Sequence, residues 1–326
     1  MNYKILELLK ETNEYLSGEE LGKKLNVSRA AVWKAISKLK EEGYEIEAVT
    51  NKGYRLINEN DIVNESEIKQ NLNTKYLGQK VCCYDEVDST NNVARKLALE
   101  GYPQGTIVLA KRQNAGKGRM GKAWNSPESG GIWMSILLMP QIQPKEAPLF
   151  TLTAGLCVCK AIRKITGLNA KIKWPNDILI EGKKICGILT EMNAEMEKIN
   201  FIIIGIGINV NIDCFPEELS NVATSLEIES KRKWKRKDII KELLIEFEKY
   251  YELYQQNNDF TIFLDDYRKL CVTIGKNVHV FAKEAFDGKA IDVTKEGELL
   301  VEKENGEIVV VFSGEVSIRE KKDELL

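Results

Sequence analysis

Residues 113–124 read Gln-Asn-Ala-Gly-Lys-Gly-Arg-Met-Gly-Lys-Ala-Trp and lie between two apolar runs, 106–110 and 132–139. Each run reads as a buried strand. A chain with two such strands must carry the segment that joins them at the rim of a core. That segment alternates Gly116, Gly118 and Gly121 with Lys117, Arg119 and Lys122. It is poorly suited to packing, but its free amides and cations suit an anion such as a phosphate. Taken alone, a solvated hairpin loop is the other reading.

The rest of the chain limits which anion-binding protein this can be. With 326 residues there is room for two or three domains. The net charge of -2 means that any nucleic-acid site must be local. The longest apolar runs, 132–139 and 201–206, are too short to span a bilayer. Glu7 arrives too early for a signal-peptide core, so the expectation is a cytoplasmic protein with no membrane partner. Seven scattered cysteines and one histidine lack zinc-site spacing, so we expect no protein metal site. The cysteines read as buried thiols in a reducing compartment, and His279, in an alternating strand pattern, as structural.

Residues 1–60 have the signals of a winged helix-turn-helix. Ile5, Leu8, Leu9 and Leu16 fall at helical spacing over 2–16. Ser17 and Glu20 form a capping box for a second helix. Ser28 caps a third, in which Val32, Ile36 and Leu39 make one apolar stripe and Gly43 is the stop. A hairpin follows around 50–53. Between Ser28 and Lys40 the third helix has bases and no acid. Its outward residues, Ser28, Arg29, Ala30, Trp33 and Lys34, are candidates for DNA contact, with Lys52 and Arg55 on the wing. A small helical interaction domain with a solvated lysine face is the alternative. Residues 58–65 read as a linker.

In the central domain, expected over 66–269, a helix over 66–78 would use Ile68 and Leu72. A strand then leads to Ser89, Thr90 and Asn91, which present polar groups at the positive end of a helix reaching Leu99; capping is the plainer role for Ser89. A long apolar helix covers 146–166. Residues 171–189 read as a hairpin whose first strand is interrupted at Trp174-Pro175-Asn176-Asp177, because proline cannot donate to a central ladder. Lys184 opens an apolar strand and needs an anion or acid beside it. Gly205 and Gly207 clear one strand face for a flat ligand or another backbone. No helix follows as in a dinucleotide fold, and residues 116–122 lack the Gly-Lys-Ser/Thr of a Walker loop. Two helices over 237–256 and 260–267 precede short alternating strands at 278–282, 289–293, 298–301, 307–312 and 316–318. With turns at Asp287-Gly288 and Asn305-Gly306, these read as an SH3-like β-barrel over 270–326. The basic run 231–237 reads as a solvated loop, with nucleic-acid contact as the alternative.

The motifs Gly-Lys-Gly-Arg-Met-Gly (116–121), Lys-Trp-Pro-Asn-Asp (173–177), the strand 184–189 and Gly-Ile-Gly-Ile-Asn (205–209), in that order, resemble the biotin protein ligases. With the winged helix, nearly the whole chain resembles the bifunctional form that is also the biotin operon repressor. The resemblance implies an α+β chain whose central mixed-sheet α/β domain is class II synthetase-like. It implies an AMP-forming ligase that uses ATP, with Mg2+, to convert biotin to biotinyl-5′-AMP, then biotinylates one lysine of a biotin carboxyl carrier protein. The adenylate would also be the corepressor, favouring a homodimer that binds operator DNA.

By the same resemblance, Ser89, Thr90, Asn91 and Gln113 bind biotin. Gly116, Lys117, Gly118 and Arg119 fold over biotin and the phosphate, and Arg119 retains the adenylate. Lys184 contacts the biotin carboxylate and the phosphate, and Asp177 assists the acceptor amine. The nucleotide side takes Lys117, Arg119, Asn176, Lys184, Asn209 and Thr224. The chain departs from the family's Gly-Arg-Gly-Arg at Lys117, which keeps the charge and loses the bidentate fork. It has Ala223 where a well-known member has an adenine-stacking tryptophan. A biotin-sensing transcription factor without ligase activity and a lipoate-type ligase are the alternative readings.

Overall fold

The computed structural model describes residues 1–58, 60–128, 130–195, 198–257, 259, 261–282, 284–312 and 317–320. It divides into two compact units, Met1–Gln70 and Asn71–Leu326.

The first unit packs α1 (Asn2–Lys10), α2 (Gly18–Leu25) and α3 (Arg29–Glu41) with a hairpin of β1 (Glu45–Val49) and β2 (Gly53–Asn58), followed by α4 (Glu65–Lys69). Ser17 and Glu20 form the expected capping box, and Ser28 Oγ accepts the Ala31 N–H at 3.2 Å. Ile5, Leu9, Leu21, Val32, Ile36 and Leu39 are the core that these stripes build. Gly43, at φ +98°, takes the left-handed position just past α3. α1 is shorter than its sequence pattern, and Thr12 Oγ1 accepts the Glu14 N–H beyond it. The helix expected over 66–78 is only α4, and it belongs to this unit. The reason is Glu67: its buried carboxylate accepts from Lys10 Nζ at 2.7 Å and from Tyr44 Oη at 2.8 Å.

The second unit centres on a seven-stranded sheet. β3 (Val81–Val87) passes through α5 (Thr90–Leu99) to β4 (Ile107–Gln113), its parallel neighbour. β5 (Gly131–Leu138) is buried at every position, as its unbroken apolar run requires. After α6 (Ala147–Thr166) come β6 (Lys171–Lys173), β7 (Asp177–Ile180), β8 (Lys183–Glu195) and β9 (Lys198–Asn209); the sheet order is β3-β4-β5-β9-β8-β7-β6, antiparallel at every pair but β3–β4. α5 packs with Leu137, Phe201 and Ile203 on one face. By strand alternation that face also carries Gly205 and Gly207. α6 covers the other face, where Gly155 approaches Ile172, Ile178 and Ile188. The strand interrupted at the proline ends there, and residues 171–180 form two short strands. The chain reverses through the cis Trp174–Pro175 bond, and Lys173 pairs with Asp177.

Beyond the sheet lie α7 (Glu217–Ser220), α8 (Leu226–Ser230), α9 (Arg236–Asn257) and α10 (Thr261–Leu270). The basic run leads into α9 as a loop in which Arg232 stacks on the Trp234 ring at 3.6 Å. Then β10 (Asn277–Phe281), β11 (Phe286–Val293), β12 (Leu299–Glu302), β13 (Ile308–Val311) and β14 (Ser317–Glu320) pair antiparallel in the order β13-β12-β11-β10-β14. Among the described residues this is an open ladder with no closing pair between β13 and β14. Residue 316 of the expected last strand lies outside the described residues. Asp287-Gly288 is not a turn. Both residues sit inside β11, where Asp287 meets His279 Nδ1 at 2.6 Å and a Cβ on Gly288 would come 2.6 Å from the Glu302 carbonyl oxygen. Trp174 fastens this sheet to the central one by donating from Nε1 to the Gly297 carbonyl at 3.0 Å. Cys157, Cys159, Cys186 and Cys271 are buried as expected, but Cys83 and Cys214 are exposed. Among the described residues no helix is long and apolar enough to cross a membrane.

Candidate active site

The crossover β3–α5–β4 brings the start of α5 against the ends of β4, β5 and β8. Ser89, Thr90 and Asn91 are buried there. Ser89 occupies the N-cap position of α5, yet its side chain makes no capping hydrogen bond. Thr90 donates its backbone N–H to Gln113 Oε1 at 2.8 Å, and Gln113 Nε2 donates to Ser126 Oγ at 2.8 Å. Asn91 Nδ2 donates to Glu191 Oε2 at 2.7 Å, while its Oδ1 faces Ser135 Oγ at 2.6 Å. This is a neutral, internally satisfied wall.

The glycine loop closes over it as a small hairpin. Trp124 N donates to the Gly116 carbonyl at 2.8 Å, and Gly118 N to the Lys122 carbonyl at 2.7 Å. Gly116 is required for this closeness, because a Cβ there would stand 2.4 Å from the Trp124 carbonyl oxygen. Trp124 lies on the bare glycine face of the sheet: a Cβ on Gly207 would come 2.4 Å from its Nε1. The indole N–H is buried without an acceptor. The flat group that Gly207 admits is thus the chain's own tryptophan, with Lys184 Nζ 5.1 Å from its ring centroid.

Charge gathers at the outer rim. Lys184 Nζ is 2.6 Å from Asp177 Oδ1, which supplies the acid expected beside an otherwise isolated lysine. Arg119 Nη1 donates to Asn176 Oδ1 at 3.0 Å, and Asn176 Nδ2 donates to the Ile188 carbonyl at 3.1 Å. Burial pulls the Arg119 guanidinium below its ordinary pKa, with the Asp177 charge opposing. Lys117 turns toward α5 and donates to Asn92 Oδ1 at 2.7 Å.

Two cavities share this rim. The inner one, about 50 Å³, is lined by Ser89, Thr90, Asn91, Gln113, Trp124 and Lys184, among others. The outer one, about 1220 Å³, takes in Arg119, Trp124, Asn176, Asp177, Lys184, Asn209 and Ala223. Thr224 stands behind that wall, buried, with Oγ1 donating to Glu229 at 2.6 Å, and its carbonyl accepts from Asn209 Nδ2 at 3.1 Å. Among the described residues no three His, Cys, Asp or Glu side chains cluster as a metal site. Asp177 and Glu181 are carboxylates on the outer cavity, at opposite ends of β7, so a divalent ion there would be held chiefly by substrate phosphates, the usual habit of Mg2+.

Reading the sequence alone missed Ser126, Ser135 and Glu191, and gave Trp124 no role. Ser135 had a visible signal, a polar side chain inside a wholly apolar strand. Glu191 had none, since its partners are distant in sequence.

In the first unit, Ser28, Arg29, Ala30, Trp33 and Lys34 are all exposed on α3, and Trp33 keeps 63% of its surface accessible. Arg29 pairs with Glu19. On the wing, Lys52 is exposed, whereas Arg55 is committed to Glu47 at 2.9 Å and to the Tyr15 ring.

Fold and site together define a ligand-activating mixed-sheet domain joined to a winged helix. Residues 84–209 match the biotin/lipoate A/B protein ligase family, residues 2–55 an HTH domain, and residues 273–319 the biotin protein ligase C-terminal domain. The bifunctional ligase/repressor BirA of Bacillus subtilis is 42% identical over 96% of this chain and 97% of its own. That of Escherichia coli is 30% identical over 97% and 96%. The biotin protein ligase from Aquifex aeolicus, solved in complex with biotin and ATP, superposes with a TM-score of 0.66 at 31% identity, covering 74% of this chain and all of that one. The chain belongs to the family of bifunctional biotin protein ligase/repressors.

Proposed function

We propose that this chain joins biotin to ATP, giving biotinyl-5′-AMP and pyrophosphate, and then passes biotin to a lysine of a biotin carboxyl carrier protein. The observation that carries this is the junction of the two cavities. A neutral wall of Thr90, Asn91 and Gln113 leads directly to a rim where Lys184, Arg119 and Asp177 converge. A ligand whose polar ring sits inside would place its carboxylate at that rim.

The biotin carboxylate oxygen attacks the α-phosphorus, the bond to the β-phosphate oxygen breaks, and pyrophosphate leaves. Lys184 and Arg119 stabilise the charge that grows on the phosphate. Mg2+, arriving with the nucleotide, would neutralise the remaining phosphate charge beside Asp177. The acceptor ε-amine then attacks the acyl carbon, AMP leaves, and Asp177 orients the amine as it loses its proton. Asn176 holds Arg119 in place, and Asn209 holds the outer wall through Thr224. Trp124 lines both cavities, and with Phe215 it gives the outer one the aromatic surfaces available to the adenine. The 116–124 hairpin carries Lys117, Gly118, Arg119 and Trp124 onto the inner cavity, so this loop would open to load ligand and close to exclude water.

Repression is the second activity of the family. Ser28, Arg29, Ala30, Trp33, Lys34 and Lys52 are the proposed operator contacts, and the adenylate is the proposed corepressor of a homodimer. A cytoplasmic setting suits all of these substrates. Incubation with ATP, biotin and a carrier domain tests the ligase: the carrier should gain the mass of one biotinyl group, and no gain would eliminate it. A lipoate-type ligase would instead add lipoate in competition. A truncation lacking residues 1–60 should lose the operator; equal binding would remove the repressor. Sedimentation with and without biotin plus ATP should show a ligand-driven monomer–dimer shift, and no shift would disconnect the loop from DNA.

A further inference from the structure

The inner cavity is bounded by a hydrogen-bond chain whose direction is set at its far end. Glu191 Oε2 and the Leu189 carbonyl can only accept, so Asn91 turns Nδ2 toward them, at 2.7 and 3.3 Å. Oδ1 then faces Ser135 and takes its single hydroxyl proton over 2.6 Å. Ser135 Oγ also lies 2.7 Å from Thr90 Oγ1, and with its own proton committed it can only accept there. On the other side Gln113 Oε1, already taking the Thr90 backbone N–H, lies 3.1 Å from Thr90 Oγ1 and again can only accept. The one proton on Thr90 therefore goes to Ser135 or to Gln113. Toward the cavity Thr90 offers lone pairs alone.

We propose that Glu191 is a positioning residue that fixes this order through Asn91 and Ser135, and so makes the inner cavity selective for a ring bearing N–H donors. Arg95, one turn along α5 from Asn91, pairs with Glu191 at 3.3 Å and holds the carboxylate toward the chain. The proposal rests on the biotin reading: a ureido ring has N–H groups, one of which Thr90 can accept, and a dithiolane ring has none. A site built to accept from an N–H rejects a ring without one, because its buried acceptor is left unpaired.

The test uses the full chain with Glu191→Leu, Glu191→Gln and Ser135→Ala. Binding of biotin and of biotin methylated on the ureido nitrogens is measured by calorimetry, and adenylation by pyrophosphate release. Glu191→Leu should weaken biotin about tenfold and the methylated analogue less than about twofold, the scale of one hydrogen bond. KM for biotin should rise while kcat at saturation changes less than about threefold and KM for ATP stays put. Glu191→Gln keeps an acceptor oxygen and should recover most of the affinity. Ser135→Ala breaks the same chain without altering β8, so it reads the ratio independently should Glu191→Leu fail to fold. An equal loss for both ligands, leaving their ratio at the wild-type value, overturns the relay and leaves Glu191 a packing residue. A wild-type chain that adenylates no biotin overturns the parent reading, and the relay with it.

Discussion

At the inner end of the cavity Ser89, Thr90, Asn91 and Ser135 are buried and neutral, whereas at the outer rim Arg119, Asp177 and Lys184 are charged and only partly covered. The inner groups stand at the start of α5 and on β5, with the protons of Asn91 and Ser135 directed by their neighbours. The rim groups stand on a glycine loop and at the starts of β7 and β8. Rigid elements suit a wall that recognises a neutral ring by hydrogen-bond pattern. A loop suits charge, because it can close once the phosphate has arrived and needs no long-lived buried cation before then. Recognition and charge stabilisation are therefore separable in this site, and mutation should separate them.

The largest effect should come from Lys184→Ala. It removes a rim cation that lines both cavities and strands Asp177, so adenylation should slow about a thousandfold in kcat, measured by pyrophosphate release, with biotin affinity changing far less. Loss comparable in both quantities would erase the division between rim and wall. Arg119→Ala should follow at about a hundredfold, and should also let the adenylate escape, seen as free biotinyl-5′-AMP in a filtration assay. Gly207→Ala tests the region between the two ends. Its Cβ would stand 2.4 Å from Trp124 Nε1, so the indole must shift and both substrates should weaken about tenfold.

The smallest effect should lie behind the loop, at Asp88. The Asn92 amide holds its carboxyl below the usual 3.8, helped by the Ser89 N–H and the Lys117 charge and opposed by burial. A lowered folded pKa means that the unfolded chain binds this proton first as pH falls. The stabilisation is thus present above 3.8 and is lost on acidification through the lower folded value. Melting curves should show wild type losing stability relative to Asp88→Asn only in that acid window. A gap that persists unchanged to lower pH would mean that Asp88 does not anchor Asn92, and with it Lys117.

Much of the site was legible because its residues come in local runs. The Ser-Thr-Asn segment, the glycine loop and Trp-Pro-Asn-Asp are each contiguous, and each breaks an apolar pattern in a way that needs a reason. Ser89 was misread as a side-chain cap, because nothing local says that its hydroxyl faces a cavity. For residues 171–180 the proline left a bulge or an end of the strand, and only the structure shows the end, since a reversal at proline and an edge bulge have the same composition. Asp287-Gly288 imitates a hairpin turn, and only its pairing with His279 and Glu302 places it within β11. The helix over 66–78 was misplaced for a similar reason: the buried partners of Glu67 are Lys10 and Tyr44, far back in the chain.

The sequence by itself determined the order of domains, the cationic loop and the polar run at the start of α5, because caps, glycines and apolar periods act over a few residues. Only the tertiary structure decided what those parts do to one another. It set Trp124 on the glycine face, paired Lys184 with Asp177, and joined Glu191 to Thr90 through Asn91 and Ser135. Hydrogen-bond direction and charge pairing depend on distances between residues far apart in the chain. The physical reason is that the sheet's strand order, and no local pattern, brings β4, β5, β8 and α5 to one point.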